Sequence, residues 1–274
     1  MKPAPANNLN SGQCKYPVHD ESMASKRTQI LGQNMLVDSR VIEYEVAMAR
    51  PEGMAVLEIG GGTGNLTAAL LEKAKKVVTV EKDPEMAEEL RVRFKGMKNL
   101  EIVEGDFLSL NPDEYRMSKI DIIVGNIPYS ASSPIIFRLR EWSFRHAVLC
   151  VQKEFAERMV AKPGDRNYSR LSVMVQIYFI AKYLKTVPAG CFRPVPEVDS
   201  AIVMLFPKGV QVDRARDIFI TKLFVHRKKI LSAALGSREF TSDERKSIAE
   251  KAGQAGLLKK RIFSLTPAEI STLL

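Results

Sequence analysis

The chain has 274 residues, of which 45% are hydrophobic and 27% charged, as expected for one α/β domain with a small additional domain. No apolar run approaches the ~20 residues that span a bilayer, and Met1–Asp20 lacks the apolar segment of a secretory signal. We interpret residues 1–21 as a flexible tail. The cysteines Cys14, Cys150 and Cys191 fit neither a disulfide framework nor a zinc site, so we expect a reducing cytoplasm and no metal.

The net charge of +9 is concentrated near the C-terminus. Residues 206–274 hold 14 Lys and Arg against 7 Asp and Glu, whereas the preceding 205 residues hold 27 against 25. A basic surface attracts polyanions through counterion release, so this distribution favours a nucleic-acid partner. A solvated helical face that only keeps the protein in solution would give the same count.

A first helix is predicted at Asp38–Ala49, with Asp38 as its N-cap. After it, short β-branched runs alternate with helical stretches. The predicted strands are Ala55–Ile59, Val77–Glu81, Leu100–Val103, Ile120–Gly125, Ala147–Gln152 and Ala201–Phe206. The predicted helices between them are Leu66–Ala74, Pro84–Phe94, Pro134–Arg140, Glu154–Val160 and Arg170–Ile180. This alternation predicts right-handed βαβ units and a mostly parallel sheet with helices on both faces.

The pattern of predicted secondary structure changes after Phe206. The remaining predicted elements are all helices, namely Asp213–Leu235, Ser242–Ala252 and Pro267–Leu273. Together with the charge shift, this change predicts a boundary near Phe206–Gly209. We therefore expect a main domain at residues 22–206 and a small, basic, helical domain at residues 207–274.

A glycine-rich turn follows the first strand, in the segment Val56–Gly64. Gly60, Gly62 and Gly64 are spaced G-x-G-x-G, and the next position of the dinucleotide fingerprint holds Asn65 instead of glycine. Glycines allow a ligand to approach the backbone closely. The spacing favours a nucleoside that carries an amino-acid tail over a pyrophosphate, although a generic tight turn would look similar.

Two acids follow the next two strands. Glu81 ends the second strand, 21 residues after Gly60, where a carboxylate accepts hydrogen bonds from ribose hydroxyls. Asp106 follows the third strand and is placed to accept from an adenine amino group, with Phe107 beside the ring. An acid at a strand end is often only a helix cap, a part that Asp83 could also play. The ordered set of turn and two acids is much harder to obtain by accident.

The fourth strand ends in Asn126-Ile127-Pro128-Tyr129. An adenine N6 is a poor nucleophile because its lone pair is delocalised into the ring. The Asn126 amide oxygen and the Ile127 carbonyl can each accept one N–H, which favours a pyramidal nitrogen. Pro128 restricts the backbone before it, and Tyr129 offers a ring for stacking. The alternative is a simple turn at the end of a strand.

This motif resembles that of the class I adenine-N6 methyltransferases and, within them, the small-subunit ribosomal RNA adenine dimethyltransferases. The resemblance covers roughly Leu31–Leu235 and implies a Rossmann-like class I methyltransferase sheet with S-adenosylmethionine as cofactor. It also implies donor contacts from Gly60, Gly62, Glu81, Asp106 and Asn126. The segment Leu31–Asp38 is similar to the family's opening block, which adds Asn34 and Leu36 as donor contacts with Gln33 close by.

Three further blocks resemble the same family. Gln152–Val173 holds a loop whose side chains are expected to meet RNA phosphates and bases, namely Lys162, Arg166, Tyr168 and Arg170. Cys191–Ser200 implies that Phe192 clamps a flipped adenine opposite Tyr129. Leu223–Ile230 resembles a basic helix whose phosphate contacts would be Arg227, Lys228 and Lys229. For each of these side chains, a solvated loop or a core aromatic is the plainer alternative.

Some positions depart from the family pattern. Gly61 stands where Pro or Ala is common, which predicts a looser loop, and Met35 replaces an aromatic residue. Ser130 replaces a frequent Asn, and His226 interrupts a cluster of Arg and Lys. The histidines are scattered and receive no catalytic or metal role.

The leading hypothesis is a monomeric enzyme that methylates N6 of two adjacent adenosines in the 3′-terminal hairpin of small-subunit ribosomal RNA, during ribosome biogenesis. A large-subunit ribosomal RNA adenine methyltransferase of the antibiotic-resistance type is the nearest alternative. An RNA-binding assembly factor with secondary methylation activity is another. A DNA adenine methyltransferase would more typically have two prolines after the Asp or Asn.

Overall fold

The computed structural model describes residues 34–114 and 120–274, so the proposed tail and Gln33 lie outside the described residues. The strands in these ranges are β1 Met35–Leu36, β2 Ala55–Ile59, β3 Lys76–Glu81, β4 Leu100–Glu104, β5 Ile122–Asn126, β6 His146–Gln152, β7 Phe179–Val187, β8 Phe192–Arg193 and β9 Ser200–Pro207. The helices are α1 Ser39–Ala49, α2 Asn65–Leu71, α3 Pro84–Arg93, α4 Ser132–Arg138, α5 Lys153–Val160, α6 Arg170–Tyr178, α7 Arg214–Val225, α8 Leu231–Leu235, α9 Ser242–Gln254 and α10 Pro267–Ser271.

Seven of the strands in the described ranges form one sheet in the order β4-β3-β2-β5-β6-β9-β7. The strands from β4 to β6 are parallel, whereas β9 runs antiparallel to both β6 and β7. Val56 of β2 pairs with Val77 on one side and with Ile122 on the other. The predicted α/β sheet is confirmed, and its strand order reverses between β2 and β5. In open α/β sheets, ligands bind at the carboxyl ends of the strands at such a point.

One strand of the seven-stranded sheet was missed, and the short strands β1 and β8, which pair with each other outside that sheet, were not predicted either. The helix predicted at Arg170–Ile180 ends at Tyr178, and the chain continues directly as β7. Strand β7 pairs with β9 alone in the described sheet, and its burial alternates along the strand. Exposed positions such as Lys182 and Lys185 give this edge strand a polar face, so it lacks the continuous apolar run of the central strands.

The helix predicted at Asp213–Leu235 is broken into α7 and α8. His226 follows the end of α7, and its Nε2 lies 3.0 Å from Oε2 of Glu239. Between α7 and α8, the backbone forms a hydrogen bond with a segment distant in sequence. The Lys229 carbonyl accepts the N–H of Ile262 at 3.0 Å. Tertiary hydrogen bonds thus replace the helical ones over this stretch.

The larger cluster of buried apolar residues runs from the sheet to the last helix, including Leu57, Leu149, Phe224 and Leu273. Tyr168 lies within it and is completely buried; its ring meets Phe224 edge-on and its hydroxyl donates to the Leu265 carbonyl at 2.8 Å. The expectation that Tyr168 contacts RNA is therefore wrong. Within the described ranges, no helix combines the length and apolar character needed to cross a bilayer.

Candidate active site

The carboxyl ends of β2, β3 and β5 open into one cavity, which the segment after β4 and the pair β1–β8 also border. All the residues predicted to bind the donor or the acceptor line this cavity. They are Asn34, Leu36, Gly60, Gly62, Glu81, Asp106, Asn126, Ile127, Pro128, Tyr129 and Phe192. The parallel topology explains their meeting, because each group follows its own strand at the same edge of the sheet.

The glycine turn is tightly packed. Gly62 has a φ of +52°, and a Cβ there would lie 2.7 Å from Sδ of Met35. At Gly61, a Cβ would press against the Thr79 side chain and lie 2.7 Å from Cδ1 of Leu90. The prediction of a looser loop at Gly61 is therefore wrong, since the absence of a side chain lets neighbouring groups pack directly against the backbone.

Glu81 is almost completely buried, at 3% exposure, and both of its oxygens accept backbone hydrogen bonds. Oε2 accepts from Gly62 N–H at 2.8 Å, and Oε1 accepts from Asp83 N–H at 2.9 Å. Asp83 is the N-cap of α3, accepting from Glu85 N–H at 2.9 Å. Asp83, and not Glu81, is therefore the cap of α3. The Glu81 carboxylate borders the cavity.

Asp106 is held by two contacts at the rim of the cavity. Its Oδ2 lies 2.9 Å from the Lys82 ammonium, and its Oδ1 accepts from Leu108 N–H at 2.9 Å. The hydrogen bond from Lys82 lowers the pKa of the Asp106 carboxyl, so this side chain is an anion at neutral pH. Phe107 stacks on Trp142 with ring centroids 5.1 Å apart, which fixes the segment beside Asp106.

Asn126 ends β5 and presents an unusual polar atom to the cavity. Its Oδ1 is buried and has no hydrogen-bond partner among the described residues. Leaving a buried acceptor unsatisfied costs about 1–3 kcal/mol. Such an atom indicates that a ligand N–H or O–H donates a hydrogen bond at this point. An exocyclic amine would supply such an N–H.

The backbone after Asn126 is fixed in place. Ile127 N–H donates to the Cys150 carbonyl at 2.9 Å, so this residue remains attached to β6. Pro128 has a φ of −55°, and its carbonyl accepts from Ala131 N–H at 2.9 Å and from Ser132 Oγ at 3.2 Å. These contacts set the path of the chain along the cavity and place Tyr129 in the cavity wall.

Tyr129, in the turn after β5, and Phe192, in β8, border the same cavity. The Tyr129 hydroxyl lies 2.8 Å from Oγ of Ser200, which is fully buried in β9. Burial raises the pKa of the Tyr129 hydroxyl, so it is neutral at physiological pH. Phe192 is 3% exposed and pairs in register with Leu36. Base stacking between these two rings remains a prediction.

The predicted RNA contacts lie apart from this cavity. Arg166, Arg227 and Lys228 line a second cavity, together with Arg261 and Phe263, which the sequence had not singled out. Arg227 Nη2 donates to the Arg166 carbonyl at 2.6 Å, and Arg261 Nη1 donates to the Lys228 carbonyl at 2.7 Å. The basic run Lys259–Arg261 was the available signal for this side of the cavity.

Besides the exposed Lys162, two other predicted phosphate contacts stand outside this second cavity. Arg170 begins α6, where its Nη1 donates to Oγ1 of Thr221 on α7 at 3.2 Å. Lys229 lies in the exposed break between α7 and α8. Their position leaves both side chains accessible, and phosphate contact remains a prediction for them.

Sequence reasoning also missed several residues that line the first cavity, among them Lys82, Ser200 and Glu58. Lys82 follows Glu81, whose carboxylate is the stronger signal, and Ser200 ends the block Cys191–Ser200 without an evident chemical role. Glu58 sits near the end of β2 inside an apolar strand, where its carboxyl had no evident chemical partner. Burial, which only the fold reveals, distinguishes Glu58 from an ordinary surface acid.

Comparison with known proteins agrees with this geometry. A model of the ribosomal RNA adenine dimethylase family matches residues 23–266. The chain is 41% identical over 249 residues to the "Probable ribosomal RNA small subunit methyltransferase A" of Thermococcus onnurineus, covering 89% of each chain. The protein of the same name from Methanothermobacter thermautotrophicus is 42% identical over 248 residues, covering 88% of this chain and 87% of that one.

Solved structures give a similar result. A crystal structure of a dimethyladenosine transferase from Plasmodium falciparum superposes with a TM-score of 0.78 at 33% identity, covering 88% of this chain and 96% of that one. The 23S rRNA methyltransferase ErmE superposes with a TM-score of 0.64 at 29% identity, covering 88% and 98%.

Proposed function

Because the chain belongs to the ribosomal RNA adenine dimethylase family, we infer that it is an S-adenosylmethionine-dependent enzyme that methylates adenine in small-subunit ribosomal RNA. We propose that the product carries two methyl groups on N6 of each of two adjacent adenosines in the 3′-terminal hairpin. The motif Asn126–Tyr129 and the family blocks around it support that finer assignment.

The unpartnered Oδ1 of Asn126 is the observation that carries the proposal. It lies in the same cavity as Glu81 and Asp106, which suit the ribose hydroxyls and the adenine amine of the donor. The glycine turn allows close approach of the donor's amino-acid tail, and Asn34 and Leu36 border the cavity at β1. These groups fit S-adenosylmethionine, whose nucleoside and cationic tail need both acceptors and an open backbone.

We propose that Asn126 and Ile127 act directly on the acceptor amine. The amide oxygen of Asn126 and the carbonyl of Ile127 each accept one N–H, which withdraws the N6 lone pair from the ring and turns it toward the methyl group. Tyr129 holds the flipped base by stacking, worth ~1–3 kcal/mol. S-adenosylmethionine supplies a methyl group on a sulfonium that departs as a neutral thioether, so no acid is required. Positioning and electrostatics then provide most of the rate.

We also propose that the two domains have different roles. Residues 22–206 would hold the donor and the target base, and residues 207–274 would hold RNA phosphates through Arg227, Lys228 and Lys229, with Arg166 and Arg170 contributing from the main domain. Strand β9 ends at Pro207, one residue beyond the proposed boundary. A monomer in the cytoplasm is the setting we propose, supported by the free thiols of Cys150 and Cys191.

The large-subunit alternative is the second candidate, since ErmE is similar over 88% of this chain. Its lower identity and TM-score, compared with the dimethyladenosine transferase, favour the small-subunit assignment. An assembly role in addition to methylation is compatible with intact donor and acceptor residues.

The direct experiment supplies labelled S-adenosylmethionine and the protein to unmodified small subunits, to unmodified large subunits and to naked small-subunit RNA. Nuclease digestion and mass spectrometry then locate the label. We expect dimethyladenosine at adjacent positions in the small-subunit RNA, absent with Asn126→Ala. Labelling of large subunits instead would overturn the substrate assignment.

A further inference from the structure

Two buried carboxyl groups lie behind the donor cavity and have no part in the chemistry proposed above. Glu58 on β2 and Glu45 on α1 are both fully inaccessible to solvent. Oε2 of Glu58 accepts the hydroxyls of Thr67 at 2.6 Å and Thr79 at 2.7 Å. Its Oε1 has no hydrogen-bond partner among the described residues, and the side chain lines the cavity. A buried, unpartnered oxygen beside a cavity indicates a ligand there.

Glu45 is the more unusual of the two. It lies on the face of α1 that also buries Val41, Ile42 and Val46, and neither of its oxygens has a hydrogen-bond partner within the described residues. A carboxyl in such surroundings is stable only when it holds a proton. Burial, with a contribution from ionised Glu58, raises the pKa of Glu45 to about 8.

The other titratable groups that face the pair are acidic or neutral. Glu81 on β3 faces Glu58, and the buried thiol of Cys150 on β6 faces Glu45. Burial raises the pKa of Glu58 to about 7, against the opposing effect of its hydrogen bonds from Thr67 and Thr79. Burial thus favours the neutral form of both carboxyls when the cavity holds no cation.

Two cationic side chains at or beside the cavity already have partners among the described residues. Lys82, which borders the cavity, lies 2.9 Å from the Asp106 carboxylate. Arg93 is bonded to the Thr63 carbonyl in the glycine turn. A cationic ligand in the cavity would therefore bring to Glu58 a positive charge that these two side chains do not supply.

We propose that Glu58, coupled to Glu45, releases a proton when the positively charged donor binds, and that this coupling distinguishes the donor from the reaction product. The proposal rests on S-adenosylmethionine being the donor. At neutral pH that molecule carries a net charge of about +1, since its ammonium and carboxylate offset each other, whereas S-adenosylhomocysteine has lost the sulfonium charge.

The sign of the coupling follows from electrostatics. A cation near Glu58 stabilises the carboxylate, so the bound state has the lower pKa and the proton leaves Oε1 for solvent. Below the pKa of free Glu58, each donor then binds with the loss of up to about one proton, so its affinity falls up to about tenfold for each unit by which the pH is lowered. The neutral thioether of the product exerts less of this effect. The site therefore favours donor over product more strongly as pH rises.

The test is calorimetric titration of the full chain with S-adenosylmethionine and, separately, with S-adenosylhomocysteine. Each titration is repeated between about pH 6 and 8 in buffers of different ionisation enthalpy, which reports the protons released. We expect greater release with the donor than with the product. Equal release for both ligands, or none for the donor, would overturn the proposal.

Substitutions assign the release to residues. Glu58→Gln keeps the side-chain volume and should abolish most of the proton release, because it removes the carboxyl that lines the cavity. Glu45→Gln should remove a smaller part, because Glu45 acts only through its coupling to Glu58. Glu43→Gln, an exposed acid on the same helix, should behave as the unmodified protein. Unchanged release in Glu58→Gln would contradict the proposal, and circular dichroism verifies that each variant folds.

The donor assignment and the role of Glu58 and Glu45 are contradicted by different results. A protein that binds no S-adenosylmethionine at any pH contradicts the donor assignment itself. A protein that binds and transfers methyl groups, but with no proton release, contradicts only the role of Glu58 and Glu45. The comparison of donor with product needs no variant and therefore does not depend on how substitutions fold.

Discussion

The Glu81 carboxylate and the Gly62 backbone N–H are joined by a hydrogen bond of 2.8 Å. The acid that ends β3 thus holds the glycine turn that follows β2. Because its other oxygen accepts from Asp83, Glu81 also connects that turn to the start of α3. If Glu81 binds the donor as proposed, donor binding and the shape of the turn depend on the same side chain.

Glu81→Gln should weaken donor binding by about 10–100-fold, since hydrogen bonds to a charged group are worth about 1.5–3 kcal/mol. RNA affinity should remain within about twofold, because the basic surface lies elsewhere. Calorimetry with S-adenosylmethionine and fluorescence anisotropy with labelled RNA measure the two. Glu104→Gln, an exposed acid at the end of β4, is the control. Equal loss of both affinities would contradict the ribose assignment.

Asn126→Ala should reduce turnover by about 10²-fold or more while S-adenosylmethionine still binds. Removing the amide oxygen leaves the acceptor amine without the partner that orients it, and misplaced reactants lose rate steeply. Single-turnover kinetics at saturating donor, with donor affinity measured in parallel, separate the two effects. Near-normal turnover would exclude Asn126 from positioning the amine.

Tyr129→Phe and Tyr129→Ala separate the ring from the hydroxyl. The Phe variant loses only the contact with Ser200, worth about 0.5–1.5 kcal/mol, and should retain most activity. The Ala variant also loses the stacking surface, about 1–3 kcal/mol, and should raise KM for RNA or lower kcat by about 10–100-fold. Steady-state kinetics with small subunits measure the difference. If both variants lose activity equally, the hydroxyl matters more than the ring.

Replacing Arg227, Lys228 and Lys229 together by Gln should flatten the salt dependence of RNA binding. Each lost phosphate contact reduces the slope of log affinity against log salt by about 0.7–0.9. Binding titrations across a salt series give that slope. Lys246→Gln, an exposed lysine on α9, is the control for a change of charge alone. An unchanged slope in the triple variant would assign those charges to a solvated face.

Glu45→Leu should stabilise the donor-free protein, increasingly so at higher pH. The pKa of Glu45 is about 8 in the folded protein against 4.5 as a free side chain, so the native state binds more protons between those values. Stability contributed by this site therefore falls as pH rises through that window, by up to about 1.4 kcal/mol per unit. The Leu variant lacks that loss. Urea unfolding at several pH values measures it, and parallel curves for the two proteins would contradict it.

Part of the cavity could be predicted because its residues follow strands, and parallel strands bring their carboxyl ends together. Asn34, Leu36 and Phe192 were predicted only from the family resemblance, whereas Gly62, Glu81 and Asn126 needed only that rule and the chemistry of their residue types. Their meeting in one cavity did not require knowledge of long-range packing beyond strand order.

Other features depend on partners that are distant in sequence. The hydroxyl of Tyr168 meets a carbonyl 97 positions away, so its place beside Arg166 and Arg170 in the sequence suggested exposure that the fold removes. The break after α7 exists because Lys229 bonds to Ile262, which no local propensity reveals. Burial of Glu45 likewise results from packing, not from its helix alone.

The hydrogen bond from Tyr168 to Leu265 joins the loop before α6 to the segment before α10 inside one shared core. A tethered module would sample many orientations, but a region anchored in this way keeps its span to the catalytic cavity. On the proposed function, the phosphate contacts and the Asn126 amide would stand at a fixed separation. The selection of an adenosine would then depend on its distance from those contacts along the folded RNA as well as on the shape of its base.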